Sequence, residues 1–222
     1  MERQNVLLFG SGGHARVVLD ALLASERFQV VGIIDHRLPP GEAVLGVPVL
    51  GTDSDLPHII RQFHVGGFVV GIGDNWRRAQ LTRRILQHSP ELRPLTVVHP
   101  AASVSRFAQL GPGTVVLPGA IVNAGAVLGA GCVLNTHSSV DHDCRLGEFV
   151  SVAPHACLGG TVTVGDYSAI CLGAHVIHGV CIGCATVVGA GALVLQNLPD
   201  QVVAYGVPAR IVRPRTVEEP YL

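Results

Sequence analysis

The second half of the chain repeats with a period of six residues. Every sixth position from residue 104 to residue 194 is valine, leucine or isoleucine, and the sixteen matches occur without a change of phase. A unit of six residues is too short to bury a hydrophobic face alone, so it becomes stable only by stacking on its neighbours. The repeat therefore predicts a solenoid of short parallel strands whose core is a ladder of branched aliphatic side chains.

Small residues accompany this ladder. The position four residues after each aliphatic residue is mostly Ala, Ser, Thr or Cys. We interpret the cysteines as small, mostly buried side chains of the same lattice, because the single C-x-x-C pair, Cys181 and Cys184, lacks obvious partners for a zinc site. The six cysteines are Cys132, Cys144, Cys157, Cys171, Cys181 and Cys184.

Composition is typical of a well-buried globular protein. Of 222 residues, 48% are hydrophobic and 14% are charged, and the formal net charge is −1. One local basic cluster contains Arg77, Arg78, Arg83 and Arg84, but no broad basic field favours nucleic acid as a partner. The start of the chain, MERQNVLLFG, meets glycines too early for a signal peptide, and no run of 18 apolar residues is present to span a membrane. We therefore expect a cytoplasmic protein.

The first hundred residues have a different rhythm, in which apolar runs alternate with helical periodicity. Residues 5–9 lead through GSGGHA into a helical pattern, residues 29–36 form a second run, and residues 66–75 precede the helix-like WRRAQLTRRILQH. Alternating strands and helices predict a small parallel sheet with helices on its faces. The sequence thus predicts an α/β, Rossmann-like domain over residues 1–98 and a repeat domain with a C-terminal tail over residues 99–222.

Glycines and polar residues follow each of the three predicted strands. Ligands of open parallel sheets bind beyond the carboxyl ends of the strands, where glycine admits a phosphate and a helix N-terminus favours negative charge. The first of these segments matches the dinucleotide fingerprint only in part, since Ala15 and Arg16 stand where its third glycine would fall. A tight turn that requires glycine would explain the same pattern. The residues concerned are Gly10, Gly12, Gly13 and His14, then Asp35 and His36, then Gly73, Asp74 and Asn75.

The hexapeptides LGPGTV, LGAGCV, IGCATV and VGAGAL resemble those of hexapeptide-repeat acyltransferases. Together with GSGGHA, NTHSSVDHDC and VVAYGVPAR, they make nearly the whole chain resemble bacterial nucleotide-sugar acetyltransferases of the bacillosamine and perosamine type and the related sialic-acid O-acetyltransferases. The resemblance implies a left-handed parallel β-helix with three hexapeptides per turn, acetyl-CoA as co-substrate and no metal. It also implies a homotrimer with acetyl-CoA between neighbouring helices and a nucleotide-linked amino sugar held by the N-terminal domain.

The segment NTHSSVDHDC, residues 135–144, interrupts the glycine-rich repeat with two histidines and two aspartates. At 18 residues per turn, His142 lies beneath Gly160, and by the same spacing His137 lies beneath His155. The resemblance assigns the general base to His142 and a supporting carboxylate to Asp143. Neighbours in a strand point to opposite sides, but at a corner of the coil they can meet. The backbone N–H of Gly160 is the candidate oxyanion donor.

The resemblance implies further contacts at matching positions. Asn135 matches a position near the sugar, and the nucleotide-binding positions are Gly12, Gly13, His14, Asp35, His36 and Gly73. Many relatives have a histidine where this chain has Ser151, so the sequence leaves open whether Ser151 replaces that histidine in the contact with acetyl-CoA. The predicted acetyl-CoA contacts are Ser151, Gly160, Leu172, Ala190 and Pro208.

Alternatives stay open for the site and for the function. The histidines would be solvated groups in an ordinary polar turn, or His137, His142, His155 and Asp141 would hold a metal, or His137 and His155 would form a second wall of the active site. The preferred function is an acetyl-CoA-dependent N-acetyltransferase acting on the 4-amino group of a nucleotide-linked 4-amino-4,6-dideoxy sugar. The alternatives are a sialic-acid-type O-acetyltransferase and a non-catalytic scaffold or nucleotide-sugar sensor. The sequence does not choose between UDP, dTDP and GDP.

Overall fold

The computed structural model describes residues 3–221, which fall into two compact units. The first unit contains the residues up to 73 together with 77–100, and the second contains 74–76 together with the residues from 101 onward. The start of MERQNVLLFG, at residues 1 and 2, lies outside the described residues, as does residue 222. The division into domains at residues 98 and 99 stays a prediction.

The first unit is built on a six-stranded sheet and has the α/β class predicted from the sequence. The strand order is β3-β4-β2-β1-β5-β6, and every neighbouring pair is parallel except β3 with β4. Within residues 3–221, every helix falls short of the length and apolar character that a bilayer-spanning segment needs. The elements in chain order are β1 (Gln4–Phe9), α1 (Gly13–Ala24), β2 (Phe28–Ile34), β3 (Ala43–Val44), β4 (Val47–Gly51), α2 (Leu56–Phe63), β5 (Gly67–Val70), α3 (Asn75–His88), β6 (Arg93–Pro94) and β7 (Val97–Val98).

The second unit is a left-handed parallel β-helix, which confirms the predicted fold class. Apart from the last two, its strands are two residues long and pair in register with residues 18 further on, as Val115 does with Val133 and Ser139 with Cys157. Three hexapeptides therefore complete one turn of the coil, and the strands lie on three faces.

The first face contains β10 (Val115–Val116), β13 (Val133–Leu134), β16 (Ser151–Val152), β19 (Ala169–Ile170) and β22 (Val187–Val188), continued by β24 (Val202–Gly206) and the antiparallel β25 (Ala209–Pro214). The second face contains β8 (Ser103–Val104), β11 (Ile121–Val122), β14 (Ser139–Val140), β17 (Cys157–Leu158), β20 (His175–Val176) and β23 (Leu193–Val194). The third face contains β9 (Gln109–Leu110), β12 (Val127–Leu128), β15 (Arg145–Leu146), β18 (Thr163–Val164) and β21 (Cys181–Ile182).

The predicted aliphatic ladder forms the interior of the coil. Every ladder residue from Val116 to Val194 is buried, whereas Val104 and Leu110 in the first coil are half-buried. Small corner residues such as Ala120 and Ser138 are also fully buried. A side chain of greater volume would not fit there, because the interior between successive turns is already closely packed.

The prediction that the cysteines are mostly buried is only partly right. Cys132 and Cys144 occupy the small corner position, are buried, and donate through their thiols to carbonyl oxygens 3.1 Å away. Cys181 and Cys184 are exposed. Cys181 is exposed because it precedes a ladder residue in its strand, and alternation along the strand directs its side chain outward. Cys184 lies in the turn that follows.

Three corners join the faces, and each is named here after one residue. The His137 corner comprises residues 117–120, 135–138, 153–156, 171–174 and 189–192. The His142 corner comprises residues 123–126, 141–144, 159–162 and 177–180. The Phe149 corner comprises residues 111–114, 129–132, 147–150, 165–168 and 183–186. Many of these turns contain one residue with positive φ, and it is often glycine but in other coils a residue such as His137, Asp143 or His155.

Candidate active site

The side chains of His142 and Asp143 meet at the His142 corner. Nδ1 of His142 lies 2.9 Å from Oδ2 of Asp143. Asp143 has a left-handed backbone conformation (φ 57°), which overrides the alternation of an extended strand and turns the carboxylate toward the imidazole. That carboxylate lies against Gly125 of the preceding coil, at a place where a Cβ would collide with it. The predicted meeting of the two side chains at a corner is confirmed.

The pKa of His142 is raised above its usual value. The hydrogen bond to Asp143 is the largest cause, and the negative charge of Asp141 adds to it. A carboxylate that accepts a hydrogen bond from Nδ1–H keeps the proton on that nitrogen and leaves the lone pair on Nε2. The side chain of His142 is 58% exposed. The geometry therefore presents a basic nitrogen at the surface of the coil.

The imidazole of His142 extends over Gly160 in the following coil. A Cβ on residue 160 would overlap with Nε2 of His142 and lie 2.6 Å from its Cε1, so only glycine admits the ring. The backbone N–H of Gly160 donates to no acceptor within residues 3–221. A lone-pair nitrogen and an unused backbone donor thus lie together, as the tetrahedral intermediate of an acyl transfer requires.

Asp141 has a structural place in the same corner. Its Oδ1 accepts hydrogen bonds from Asn123 Nδ2 at 2.8 Å and from the backbone N–H of His142 at 2.7 Å. These bonds, the one from Asn123 first, lower the pKa of Asp141. The anionic side chain therefore fixes the backbone that carries His142. Across residues 3–221, no three side chains of His, Cys, Asp or Glu are grouped so that they could hold a metal ion.

The imidazoles of His137 and His155 stack on the His137 corner. Their ring centroids are 5.3 Å apart and the ring planes differ by 18°, which confirms the predicted stacking. Strand β14 separates His137 from His142, so the pair lies on a different corner from the candidate base. The role of the pair as a second wall of the site stays a prediction.

The residues predicted to contact acetyl-CoA are distributed over more than one corner. Leu172 and Ala190 are exposed on the His137 corner, one coil apart, whereas Gly160 lies on the His142 corner. Pro208 is exposed between β24 and β25. Asn135, the predicted sugar contact, is half-buried on the His137 corner and donates through Nδ2 to the carbonyl of Val152 at 3.2 Å.

Ser151 has a buried partner within the second unit. Its hydroxyl donates to Oδ1 of Asn75 at 2.6 Å, and the hydroxyl of Tyr221 donates to the same oxygen at 2.9 Å. Nδ2 of Asn75 donates in turn to the carbonyls of Tyr167 and Ser168. The side chain of Ser151 thus has a structural role that the sequence did not reveal, and its contact with acetyl-CoA stays a prediction.

A cavity of about 380 Å³ lies in the first unit. Helix α1 begins at Gly13 with Gly12 as its N-cap, and a Cβ on either glycine would meet no atom within 4 Å. The free N-terminal amides of a helix beside open space suit a phosphate. Six of the predicted substrate-binding residues line this one cavity, namely Gly12, Gly13, His14, Asp35, His36 and Gly73.

The close packing that a third glycine provides in dinucleotide-binding turns has another origin here. Gly71, just after β5, approaches α1 so closely that a Cβ on it would lie 2.7 Å from Cα of Ala15.

His14, which lines the cavity, is largely buried. Burial, with a smaller effect from Arg78, lowers its pKa to about 4. Its Nε2 finds no hydrogen-bond partner within residues 3–221.

The arginines of the local basic cluster have separate roles that the sequence did not reveal. Arg78 is buried, and its Nη1 donates to the carbonyls of Ile72 and Gly73 at 3.0 and 2.8 Å, which fixes the third glycine-containing turn. No local pattern in the sequence indicated its burial, because arginine side chains are mostly exposed. The other basic residues along the cavity are Arg37, Arg77 and Arg84, the last paired with Asp53 at 2.8 Å.

Comparison with known proteins shows similarity over both units. Residues 5–85 match the PglD N-terminal domain family. The chain is 30% identical over 207 residues to the GDP-perosamine N-acetyltransferase of Escherichia coli O157:H7, an alignment that covers 90% of this chain and 81% of that one. It is also 33% identical over 116 residues to the UDP-N-acetylbacillosamine N-acetyltransferase of Bacillus subtilis, covering half of each chain.

Solved structures agree with these relatives. The crystal structure of PerB from Caulobacter crescentus in complex with CoA and GDP-perosamine has a TM-score of 0.87 and 42% identity, and the match covers 94% of this chain and 97% of that one. The acetyltransferase domain of PglB from Neisseria gonorrhoeae in complex with acetyl coenzyme A has a TM-score of 0.84 and 31% identity, and the match covers 95% and 100%. The chain therefore belongs to the family of nucleotide-sugar N-acetyltransferases that includes the GDP-perosamine and UDP-N-acetylbacillosamine enzymes.

Proposed function

We propose that this protein transfers the acetyl group of acetyl-CoA to the 4-amino group of a nucleotide-linked 4-amino-4,6-dideoxy sugar, with His142 as general base. The observation that carries the proposal is the position of the His142 imidazole, held by Asp143 on one side and by Gly160 on the other. A solvated histidine in an ordinary polar turn would need neither the carboxylate nor the glycine. Family membership supports the same chemistry.

In the proposed reaction His142 acts first as a base and then as an acid. The amine nitrogen attacks the thioester carbonyl carbon and forms the new C–N bond, while its proton passes to Nε2 of His142. The carbonyl oxygen becomes an oxyanion that the N–H of Gly160 stabilises. The C–S bond then breaks, and the leaving thiolate takes the proton back from the imidazolium. Asp143 stabilises the imidazolium between these two steps and keeps Nε2 directed at the substrate.

The nucleotide is proposed to bind in the cavity of the first unit. Its phosphates would lie at the N-terminus of α1, where Gly12 and Gly13 leave open space, with Arg37 and Arg77 supplying positive charge nearby. Asp35 and His36 line the same cavity and offer polar partners to a ribose or base. The relatives are named for GDP- and UDP-linked sugars, so a panel of nucleotides is needed to identify the base.

The functional unit is proposed to be a homotrimer with its active sites between copies. The supporting observation is that Leu172 and Ala190, predicted to contact acetyl-CoA, lie on the His137 corner, whereas His142 and Gly160 lie on the His142 corner. Two corners of one coil face different directions, but a ring of identical subunits brings a different surface of each copy against its neighbour. Light scattering coupled to size exclusion would measure the mass of the assembly.

The direct test is release of free CoA thiol from acetyl-CoA in the presence of candidate acceptors. We expect release with a GDP-, UDP- or dTDP-linked 4-amino-4,6-dideoxy sugar, and mass spectrometry should locate the acetyl group on nitrogen. Release only with sialic acid or another sugar hydroxyl would favour the O-acetyltransferase alternative. A third of the chain is similar to a galactoside O-acetyltransferase, which supports testing this alternative. Absence of release with every acceptor would favour a non-catalytic trimer.

A further inference from the structure

His137 and His155 form an exposed pair that the proposed acetyl transfer does not use. Both residues have left-handed backbone conformations, with φ 56° and 57°, at turns where glycine would avoid any strain. At the Phe149 corner, Phe149 and Tyr167 share this conformation, but Phe149 is buried and its ring stacks on Tyr167, so packing explains that pair. Exposed imidazoles bury little surface, so core packing does not explain why two histidines stack at this corner.

The two histidines are exposed on their corner. None of their ring nitrogens forms a hydrogen bond with any residue between 3 and 221, while the rings stack on each other. Beyond His155 the corner continues with Gly173 and Gly191, where an added Cβ would meet nothing within 4 Å. Exposed Leu172 and Ala190 stand next to these glycines. A continuous open surface therefore runs from the imidazole pair along the predicted acetyl-CoA contacts, rising about 4.8 Å per coil.

The pair lies at the same level of the coil as the candidate base. Strand β14 has His137 before it and His142 after it, and β17 has His155 before it and Gly160 after it. An acetyl-CoA molecule that descends the His137 corner past Ala190 and Leu172 would bring its acetyl end to His155. The base and the oxyanion donor of the same chain lie at the far ends of those strands, on the other corner.

We propose that His137 and His155 are positioning residues for the active site that their corner forms with a neighbouring copy of the chain. They border the acetyl end of acetyl-CoA held on their own corner, while His142 and Gly160 of the partner subunit carry out the transfer. The inference rests on the proposed function, in which the active sites lie between copies, and adds to it two residues that border the acetyl end of the donor.

The first test is the double variant His137→Gly with His155→Gly. Glycine accepts the positive φ, so the trimer and its melting temperature should be preserved. We expect kcat/KM for acetyl-CoA to fall about tenfold or more, mainly through KM, because the donor loses its placement. The matched control is His64→Gly, since His64 is also an exposed histidine with positive φ (48°) but lies at the end of α2. The control should keep wild-type kinetics, and the single variant His155→Asn, which tolerates positive φ, repeats the test if the double variant folds poorly.

The second test is complementation between subunits. At acetyl-CoA concentrations well below KM, the double glycine variant alone should keep about a tenth of wild-type activity or less. Its co-expression with His142→Ala chains should then raise activity to about a quarter of the wild-type value, because random mixing makes one interface in four fully wild-type. Full activity of the double variant, or failure of mixed trimers to regain activity, would overturn the inference while wild-type turnover still supports the proposed function. A wild-type protein that releases no CoA thiol would overturn both.

Discussion

The imidazole of His142 fills the volume that a Cβ on Gly160 would occupy, one coil further along the β-helix. This relationship ties the orientation of the base to the identity of a residue 18 positions away. On the other side, Asp143 fits only because residue 125 is glycine. The pair of side chains is therefore held between two glycines of neighbouring coils, and each contact leads to a separate expectation.

Substitution Gly160→Ala should displace the imidazole while leaving the coil intact. We expect kcat/KM to fall about 100-fold, because a shift of about 1 Å in a reacting group costs that much. Steady-state kinetics and a melting curve measure the two effects. The control is Gly67→Ala, which also crowds a side chain, with its Cβ 2.6 Å from Cδ1 of Leu95, but in the sheet of the first unit. Equal losses of activity in both variants would show that crowding acts through folding rather than through His142.

Substitution Asp143→Asn should shift the acid limb of the pH–rate profile. The base must be neutral to accept a proton, and its pKa is raised chiefly by Asp143. In the wild type, kcat/KM should therefore fall as pH decreases, and the midpoint of this fall should lie above 6.5, the ordinary pKa of histidine. In the variant the decline should begin at lower pH, and the plateau should be lower because the imidazolium loses its partner. An acid limb that stays in place would contradict the role given to Asp143.

Substitution Gly13→Leu should separate nucleotide binding from folding. A Cβ at this position meets no atom within 4 Å, and the residue lines the cavity at the start of α1. We expect the Kd for the preferred nucleotide to rise at least about tenfold, because the side chain fills space proposed for phosphate. Calorimetry with GDP, UDP and dTDP provides the measurement, and the melting temperature without ligand should stay near that of the wild type. Unchanged affinity would place the nucleotide elsewhere.

Burial of His14 should make the protein less stable in acid. The unfolded chain binds a proton on this histidine below pH 6.5, whereas the folded chain binds it only near pH 4. The free energy of unfolding should therefore fall as pH decreases through this window, by up to about 3 kcal/mol from this group. Denaturant titrations of the wild type and of His14→Gln at pH 7 and pH 4.5 test it. Parallel losses in both proteins would assign the acid sensitivity to other groups.

The columns of the coil could be predicted because their period is a property of the sequence. The uninterrupted six-residue repeat, with three repeats per turn, places residue 142 beneath residue 160 and residue 137 beneath residue 155, and the structure has both relationships. The first unit was predictable for a similar reason, since glycines and polar residues after successive parallel strands meet at one edge.

Other features depend on tertiary context. The buried hydrogen bond from Ser151 to Asn75 joins residues 76 positions apart, and no local pattern indicates it. Asp143 has a left-handed backbone conformation, which the alternation of side chains along an extended strand does not predict. The sequence shows Arg78 only as a member of a basic cluster, and no local pattern indicates that two carbonyl acceptors satisfy its buried guanidinium.

The rate of the His142→Ala variant tests the proposed chemistry most directly. The side chain is more than half exposed, so its removal should leave the β-helix folded. With acetyl-CoA and a nucleotide-linked amino sugar, we expect kcat to fall about 100- to 10,000-fold, the range for loss of a general base, with little change in either KM. Retention of wild-type kcat in this variant would contradict the assignment of His142 as the base.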